Sequence, residues 1–353
     1  DIFKDLLKKS NYQNRKKKVI EFNKKNTILK KGISITPVKF GISFTTTHLN
    51  QGGALVHIYT DGSVHLNHGG IEMGQGLMTK ISQIAANELG LSTDEIKITS
   101  TDTEKVPNTS ASAASASTDI NGAAVVNAIN TIKNNLASFI NKNFKYKGKS
   151  IKYKSNKVLF GSKSIDFKKL ISLAHLNRIS LSSSGFYKTP KIFRNKETLK
   201  GRPFLYFSYG AAVSEVIIDT LTGENKLLQV DILHDVGKSI NPSIDLGQIE
   251  GGFVQGLGWL TTEEVSWNLN GNLSTHSPST YKIPVSKDIP EKFNVNIYEK
   301  GLNIEKTVNR SKAVGEPPLM LALSTFMALK NAVNNNNLKA PATPENILMA
   351  LQE

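Results

Sequence analysis

Gly69-Gly70-Ile71-Glu72-Met73-Gly74-Gln75-Gly76 is the stretch from which the fold is read. Before it, Ala54 to Tyr59 and Val64 to Leu66 flank Asp61-Gly62, a pair suited to a two-residue primed hairpin turn. After it, Ile81, Ile84, Ala85 and Leu89 share one face of a helix expected from about Leu77 to Leu89, and Ile96 to Thr99 reads as the next strand. Strand, glycine loop, helix, strand is a layout that aims backbone N–H groups at an anion. The loop lacks the Gly-Lys-Ser/Thr ending of a P-loop and the full dinucleotide fingerprint. Gln75 is singled out because a carboxamide offers donors and acceptors to a polar ligand.

The pattern recurs downstream. Ala211 to Asp219, a turn at Thr222-Gly223, and Lys226 to Val236 predict a second hairpin. Asp245 to Gly258 then reads as another glycine-rich helix start, with Gln248 in the place of Gln75 and Gly252, Gly256 and Gly258 permitting close packing. Hairpins followed by helices predict an α+β fold of mixed β-sheets with helices packed on them, in two similarly built parts. The expected division is a basic helical segment over 1–30, a first part over 31–140, a basic insertion or boundary over 141–205, and a second part over 206–353.

The remaining elements are read the same way. Residues 2–24 are helix-like with broken periodicity, and residues 32–46 alternate as a strand interrupted at Pro37. Val106-Pro107-Asn108-Thr109 leads into an Ala/Ser run ending at Ser117, which is either a flexible linker or a place where a bulky ligand approaches the backbone. Thr118 or Asp119 is expected to cap a helix running to about Asn134. Strands near 151–153 and 158–160 and a helix near 167–176 complete the basic region. Near the C-terminus, Gly315-Glu316-Pro317-Pro318 sets a carboxylate between a permissive residue and two that fix φ, a stiff extended mount at the start of a helix carrying Leu319, Leu321, Ala322, Phe326, Leu329 and Val333.

Composition narrows the chemistry. With no cysteine among 353 residues, disulfides, thiolate nucleophiles, zinc-thiolate sites and iron-sulfur ligation are excluded within this chain. The net charge of +15 is segregated: residues 1–31 carry 11 basic and 3 acidic residues, residues 142–200 carry 16 and 2, and the remainder is net acidic. No nucleic-acid-binding signature accompanies the basic stretches, which leaves solvated faces or a docking surface for an acidic partner. His65, His68 and Glu72 are metal-ligand types but lack HExxH spacing, and no nucleophile-elbow pattern occurs. No apolar run approaches the roughly 20 residues of a membrane helix and no signal segment opens the chain, so no membrane partner and a cytoplasmic location are expected. The start at Asp1 rather than Met reads as a piece of something longer.

Taken in order, Phe40-Gly-Ile-Ser-Phe-Thr45, the loop 69–76, Val106 to Ser110 with its Ala/Ser run, Gly247-Gln-Ile-Glu-Gly251, Pro278-Ser-Thr-Tyr-Lys-Ile-Pro284 and Gly315-Glu-Pro-Pro318 resemble the C-terminal half of the molybdenum subunit of the xanthine dehydrogenase/aldehyde oxidase family. The resemblance implies a Mo-molybdopterin cofactor with no protein ligand to the metal, contacted by Gly74, Gln75, Gly76, Ala114, Ser115, Ser117 and Gln248. It places Phe44 and Thr45 at the substrate, Phe44 packing on a flat heteroaromatic ring. It makes Glu316 the general base of a hydroxylation of xanthine or hypoxanthine to urate, taking a proton from a molybdenum-bound hydroxyl as hydride passes to the sulfido ligand. The partners implied are a purine, the N-terminal half of the subunit, and 2Fe-2S and FAD modules on other domains or subunits of an oligomer. Substrate-orienting groups of the family lie in that other half, so the chain is expected to complete an active site rather than form one alone; Met78 stands where many relatives have histidine, a change expected to be mild. An aldehyde oxidase-type hydroxylase and a non-catalytic remnant or basic binding module are the alternatives.

Overall fold

The computed structural model describes residues 2–106, 108–148 and 150–352; Pro107 of the Val106–Ser110 motif lies outside them. In chain order the elements are α1 (Ile2–Lys9), α2 (Tyr12–Lys25), β1 (Leu29–Ile42), β2 (Gln51–Ile58), β3 (Val64–His68), α3 (Leu77–Leu89), β4 (Ile96–Ile98) and α4 (Ser117–Asn143). The basic region holds β5 (Ile151–Lys154), β6 (Lys157–Phe160), β7 (Lys163–Asp166), α5 (Phe167–Leu176), β8 (Ser182–Lys188), β9 (Phe193–Arg194) and β10 (Gly201–Arg202). Then come β11 (Tyr206–Asp219), β12 (Asn225–Asp235), α6 (Pro242–Thr261), β13 (Lys292–Ile297), α7 (Leu323–Val333) and α8 (Pro344–Gln352).

The fold is α+β, in two compact units. One comprises the chain up to residue 40, residues 207–302 and the chain from 314; the other comprises residues 41–206 and 303–313. Each holds a four-stranded mixed sheet built to one plan. In the second unit the order is β4-β3-β2-β8, with β2 and β3 an antiparallel hairpin and β4 parallel to β3. In the first the order is β1-β11-β12-β13, with β11 and β12 the hairpin and β13 parallel to β12. A parallel pair needs a crossover, and α3 and α6 supply it.

The unit boundaries follow strand pairing rather than the linear division. β1 is hydrogen-bonded beside β11, so it belongs with residues 207–302. β8, from the basic stretch 141–205, pairs with β2 from Gln51↔Lys188 to His57↔Ser182. The basic stretch therefore supplies a strand of the second unit's main sheet as well as the small sheet β5-β6-β7.

Alternation along the strands puts a core on each face of the first unit's sheet. Ala212, Val216, Val230 and Ile232 face Ile249, Phe253 and Leu257 of α6 and Ala328 and Leu329 of α7. Ala211, Val213 and Leu233 face Leu6 of α1 and Val19 of α2. Each of the valine, leucine, isoleucine and phenylalanine side chains among these, fully buried, contributes on the order of 1.5–3 kcal/mol.

Several local expectations are corrected. β1 runs unbroken through Pro37 because it is the edge strand, where a missing N–H costs no ladder bond. The first hairpin closes over Tyr59 to Ser63 rather than on a two-residue turn: the Gly62 amide donates to the Tyr59 carbonyl, the Tyr59 amide to the Ser63 carbonyl, and Gly62 takes φ +87°. The helix expected to end near Asn134 continues to Asn143, since Leu136, Phe139 and Ile140 extend its buried face. The region 245–258 is helix interior rather than a helix start: α6 begins at Pro242, where the Asn241 side chain accepts the Ile244 amide at 3.1 Å. Residues 2–24 form two helices, separated at Asn11 in the left-handed region.

Candidate functional site

In the second unit three loops gather at one end of the sheet. The loop after β1 carries Phe44, half-buried, and Thr45, exposed, directly after Ser43 at φ +148°. Asn50, 2% exposed, holds it: its Oδ1 accepts the Phe44 amide at 2.8 Å and its Nδ2 donates to the carbonyls of Phe44, Thr46 and Thr47. Sequence reasoning missed Asn50, because an asparagine in a polar loop gives no local sign of which carbonyls it will bind. The next residue, Gln51, is tied through its backbone to the Ser110 hydroxyl.

The glycine loop meets the Ala/Ser run, as the Ile71 amide donates to the Ser112 hydroxyl at 2.7 Å. Gly74 and Gly76 take φ +98° and +75°, conformations that favour glycine. The anion at the start of α3 is the protein's own. The Glu72 carboxylate accepts the amides of Gly74 at 2.9 Å, Gly76 at 3.0 Å and Met78 at 2.9 Å. Burial would raise its pKa, yet the amides of Met78, Gly76, Gly74 and Leu77 hold it below the usual carboxylate range. Gln75 also turns inward, its Oε1 accepting the Met73 amide and its Nε2 donating to the Ile71 carbonyl at 2.8 Å.

Glu72 thus acts as the clasp of the loop that presents Gln75. Since its folded pKa is depressed, this contribution is present above the ordinary carboxylate range and is lost as pH falls through the folded value. Glu72→Gln is expected to speed amide exchange at Gly74, Gly76 and Met78 about tenfold at neutral pH, the scale of losing charge-assisted hydrogen bonds at an exposed site. Unchanged exchange would remove Glu72 from this role.

The Ala/Ser run is not a linker. Ala114 and Ser115 both take φ +53°, a conformation that costs non-glycine residues energy and gathers at functional sites. They lead through Ala116 into α4, whose N-cap makes no side-chain hydrogen bond. Neither Thr118 nor Asp119 caps the helix; Asp119 lies inside the first turn and accepts the Tyr206 hydroxyl at 2.6 Å. Small side chains and a helix start without a side-chain cap make the Ala114–Ser117 end the better anion cradle of the two helix N-termini, with the phosphate of a pterin cofactor as a fitting occupant. The residues present fit the cofactor that the resemblance implies.

His68 is 1% exposed, and burial pulls its pKa down to about 4 against the pull of Glu72. Its Nδ1 accepts the Gly70 amide at 3.0 Å. Among the described residues no group of three or more His, Cys, Asp or Glu side chains could hold a metal ion, and His65, His68 and Glu72 form no such site.

In the first unit the two candidates lie on neighbouring elements. Gln248, half-buried, sits on α6, and Glu316 opens a 3-10 turn over Pro317–Ala322 that packs on that helix. A Cβ at Gly252 would come within 3.0 Å of Pro318 Cβ, and one at Gly256 would overlap the Leu319 carbonyl oxygen and meet the Ala322 methyl at 2.8 Å. Of the three glycines expected to permit close packing, Gly252 and Gly256 do so against the Glu316 segment, whereas Gly258 faces Glu263 and Pro284. Glu316 is in the right-handed helical region at φ −88°, ψ −38°, not extended, because its carbonyl accepts the Leu319 amide at 3.1 Å and closes the turn. Pro317 and Pro318 are buried while the Glu316 residue is exposed. Of the Pro278–Pro284 motif, the Tyr281 hydroxyl donates to Glu263 at 2.6 Å.

The molybdopterin cofactor-binding domain family matches residues 5–290, and the chain belongs to it. Mo-molybdopterin is accordingly its cofactor. The chain is 50% identical over 353 residues to a xanthine dehydrogenase/oxidase of Gallus gallus, covering 97% of this chain and 24% of that protein. It is 45% identical to a xanthine dehydrogenase of Dictyostelium discoideum, covering 98% and 25%. It thus spans about a quarter of the length of the relatives it matches. Among solved structures, quinoline 2-oxidoreductase of Pseudomonas putida 86 superposes with a TM-score of 0.87 at 21% identity over 99% of this chain and 45% of that one. CO dehydrogenase of Oligotropha carboxidovorans gives 0.85 at 21% over 99% and 44%. At that identity the likeness is one of fold.

Proposed function

We propose that this chain is the part of a molybdenum hydroxylase that carries the general base, and that the assembled enzyme oxidises xanthine or hypoxanthine to urate. The observation that carries the reading is the mount of Glu316: an exposed residue on a tight turn, followed by two buried prolines, the second of which packs on Gly252 of α6. The mount fixes where the Glu316 side chain leaves the backbone, which narrows the region its carboxylate can reach. The names of the relatives, at 42–50% identity over at least 97% of this chain, support the purine class of substrate.

When bound, Mo-molybdopterin supplies Lewis acidity and accepts the two electrons of the oxidation. Glu316 takes the proton released during hydroxylation. Gln75 and Gln248 bind polar edges of the cofactor through their carboxamides, and Gly74, Gly76, Ala114, Ser115 and Ser117 let it approach the backbone. For Gln75 this requires its side chain to exchange its bonds to Met73 and Ile71 for bonds to the cofactor. Phe44 packs on the substrate ring, with Thr45 at its edge. Electrons leave through iron-sulfur and flavin modules on other parts of the assembly, and the N-terminal half of the subunit completes the substrate pocket.

The test is to capture the native assembly through a tag on this chain and to measure molybdenum content and xanthine-dependent urate formation. Molybdenum with urate formation is expected. Molybdenum without urate would move the substrate class to aldehydes, and no molybdenum at all would overturn the reading.

A further inference from the structure

The second unit contains a buried polar cluster for which the proposed chemistry has no use. Tyr206, 7% exposed, donates its hydroxyl to Asp119 Oδ2 at 2.6 Å and accepts the Ala313 amide at 2.9 Å. Asp119 belongs to the first turn of α4, two residues after Ser117. The chain runs on from Ala313 through Val314 and Gly315 to Glu316. One phenol therefore links the helix that follows the small-residue cradle to the strap that leads into the general base.

The chemistry of the cluster suits a fixed anchor rather than a proton carrier. Burial holds the Tyr206 hydroxyl well above its ordinary pKa, with Asp119 adding to the effect, so the hydroxyl keeps its proton. Burial likewise pushes the Asp119 carboxyl up to about 7, against the pull of the Tyr206 hydrogen bond and of Lys80, itself 8% exposed. The phenol oxygen has one proton to give and lone pairs to accept with, so it can satisfy the carboxylate and the Ala313 amide together. No other side-chain type offers both at this reach and buries a ring as well.

We infer that Tyr206, oriented by Asp119, is a positioning residue that fixes the strap at Ala313 and thereby the placement of Glu316. The inference rests on the assignment of Glu316 as base for its catalytic consequence and on the hydrogen bonds alone for the positioning itself. Displacement of a catalytic group by about 1 Å can cost on the order of 100-fold in rate. A strap released at one anchor, while the two prolines still hold the mount, is expected to cost less.

The experiment compares wild type, Tyr206→Phe and Asp119→Asn in the native tagged assembly. Tyr206→Phe is expected to speed amide exchange over residues 312–316 about tenfold and to lower kcat about tenfold, with KM and molybdenum content unchanged. Asp119→Asn keeps an acceptor oxygen for the phenol and is expected to retain most of both properties. Unchanged exchange at 312–316 in Tyr206→Phe would overturn the inference whether or not the assembly is active. Faster exchange with wild-type kcat would also overturn it, as would activity that falls only in proportion to lost molybdenum. An assembly in which wild type loads molybdenum but makes no urate would overturn the purine substrate rather than the anchor, and the exchange measurement would then decide the anchor alone.

Discussion

Glu316→Gln is expected to reduce xanthine turnover by the native assembly by about 10²–10⁴-fold, the usual worth of a positioned general base. Molybdenum content is expected to stay at the wild-type level. The carboxamide keeps the size of the side chain, the turn is closed by the Glu316 carbonyl and the Leu319 amide, and Pro317 and Pro318 supply the buried surface. An effect confined to kcat would match a group that acts in the transition state. A variant that keeps full turnover while loading molybdenum would show that another group takes the proton.

The second large effect concerns a glycine. In a helix interior, replacing glycine by alanine is ordinarily favourable by roughly 0.5–1 kcal/mol. α6 contains two kinds of glycine. A Cβ at Gly247 would meet nothing within 4 Å, whereas one at Gly256 would overlap the Leu319 carbonyl oxygen and crowd the Ala322 methyl at 2.8 Å. Gly247→Ala is therefore expected to be neutral or mildly stabilising. Gly256→Ala is expected to destabilise the chain by about 1–3 kcal/mol, the range for overpacking a filled contact, because the obstructing atom is backbone and cannot rotate away. It should also depress activity, since the element pushed off α6 is the turn that begins at Glu316. The pair differ by one methyl group on the same helix, so urea unfolding of the full-length protein and one activity assay decide the matter. Equal stabilities for the two variants would refute the packing account.

Where an element depends on nearby residues, the sequence reading and the fold coincide closely. Helix α3 runs from Leu77 to Leu89 as its apolar spacing predicts, and both hairpins lie where alternation and turn residues place them. Where an element depends on a distant partner, the reading departs. Gly247, Gly251 and Gly252 resemble a helix start when read locally, yet they sit inside a helix, and of the glycines there only Gly252 and Gly256 form the face that the Pro318–Ala322 segment approaches. Pro37 looked like a break until β1 proved to be an edge strand. The loop over 69–76 was legible as an anion-binding turn, but which anion fills it was not, because Glu72 reads equally well as a surface charge.

The candidate site divides along the same line. Gln75, Gln248 and Glu316 stand out as residue types in motifs, and Ala114 and Ser115 through the family resemblance. Their supports do not. Asn50 beneath Phe44, Glu72 beneath Gln75, and Tyr206 between Asp119 and Ala313 are ordinary residues in ordinary stretches.

By itself, then, the sequence determined the α+β class, the two hairpin-and-helix parts, the cofactor class and the residue that carries the carboxylate. The class and the two parts rest on short-range periodicity and on the φ preferences of glycine and proline; the cofactor class rests on several motifs that resemble one family in the same order. Only the tertiary structure decided which strands pair across the chain, which glycines admit a neighbour and which polar groups hold the loops. Each of those depends on atoms far apart in sequence, and a hydrogen bond or a close approach exists only once folding has brought both partners to the same place.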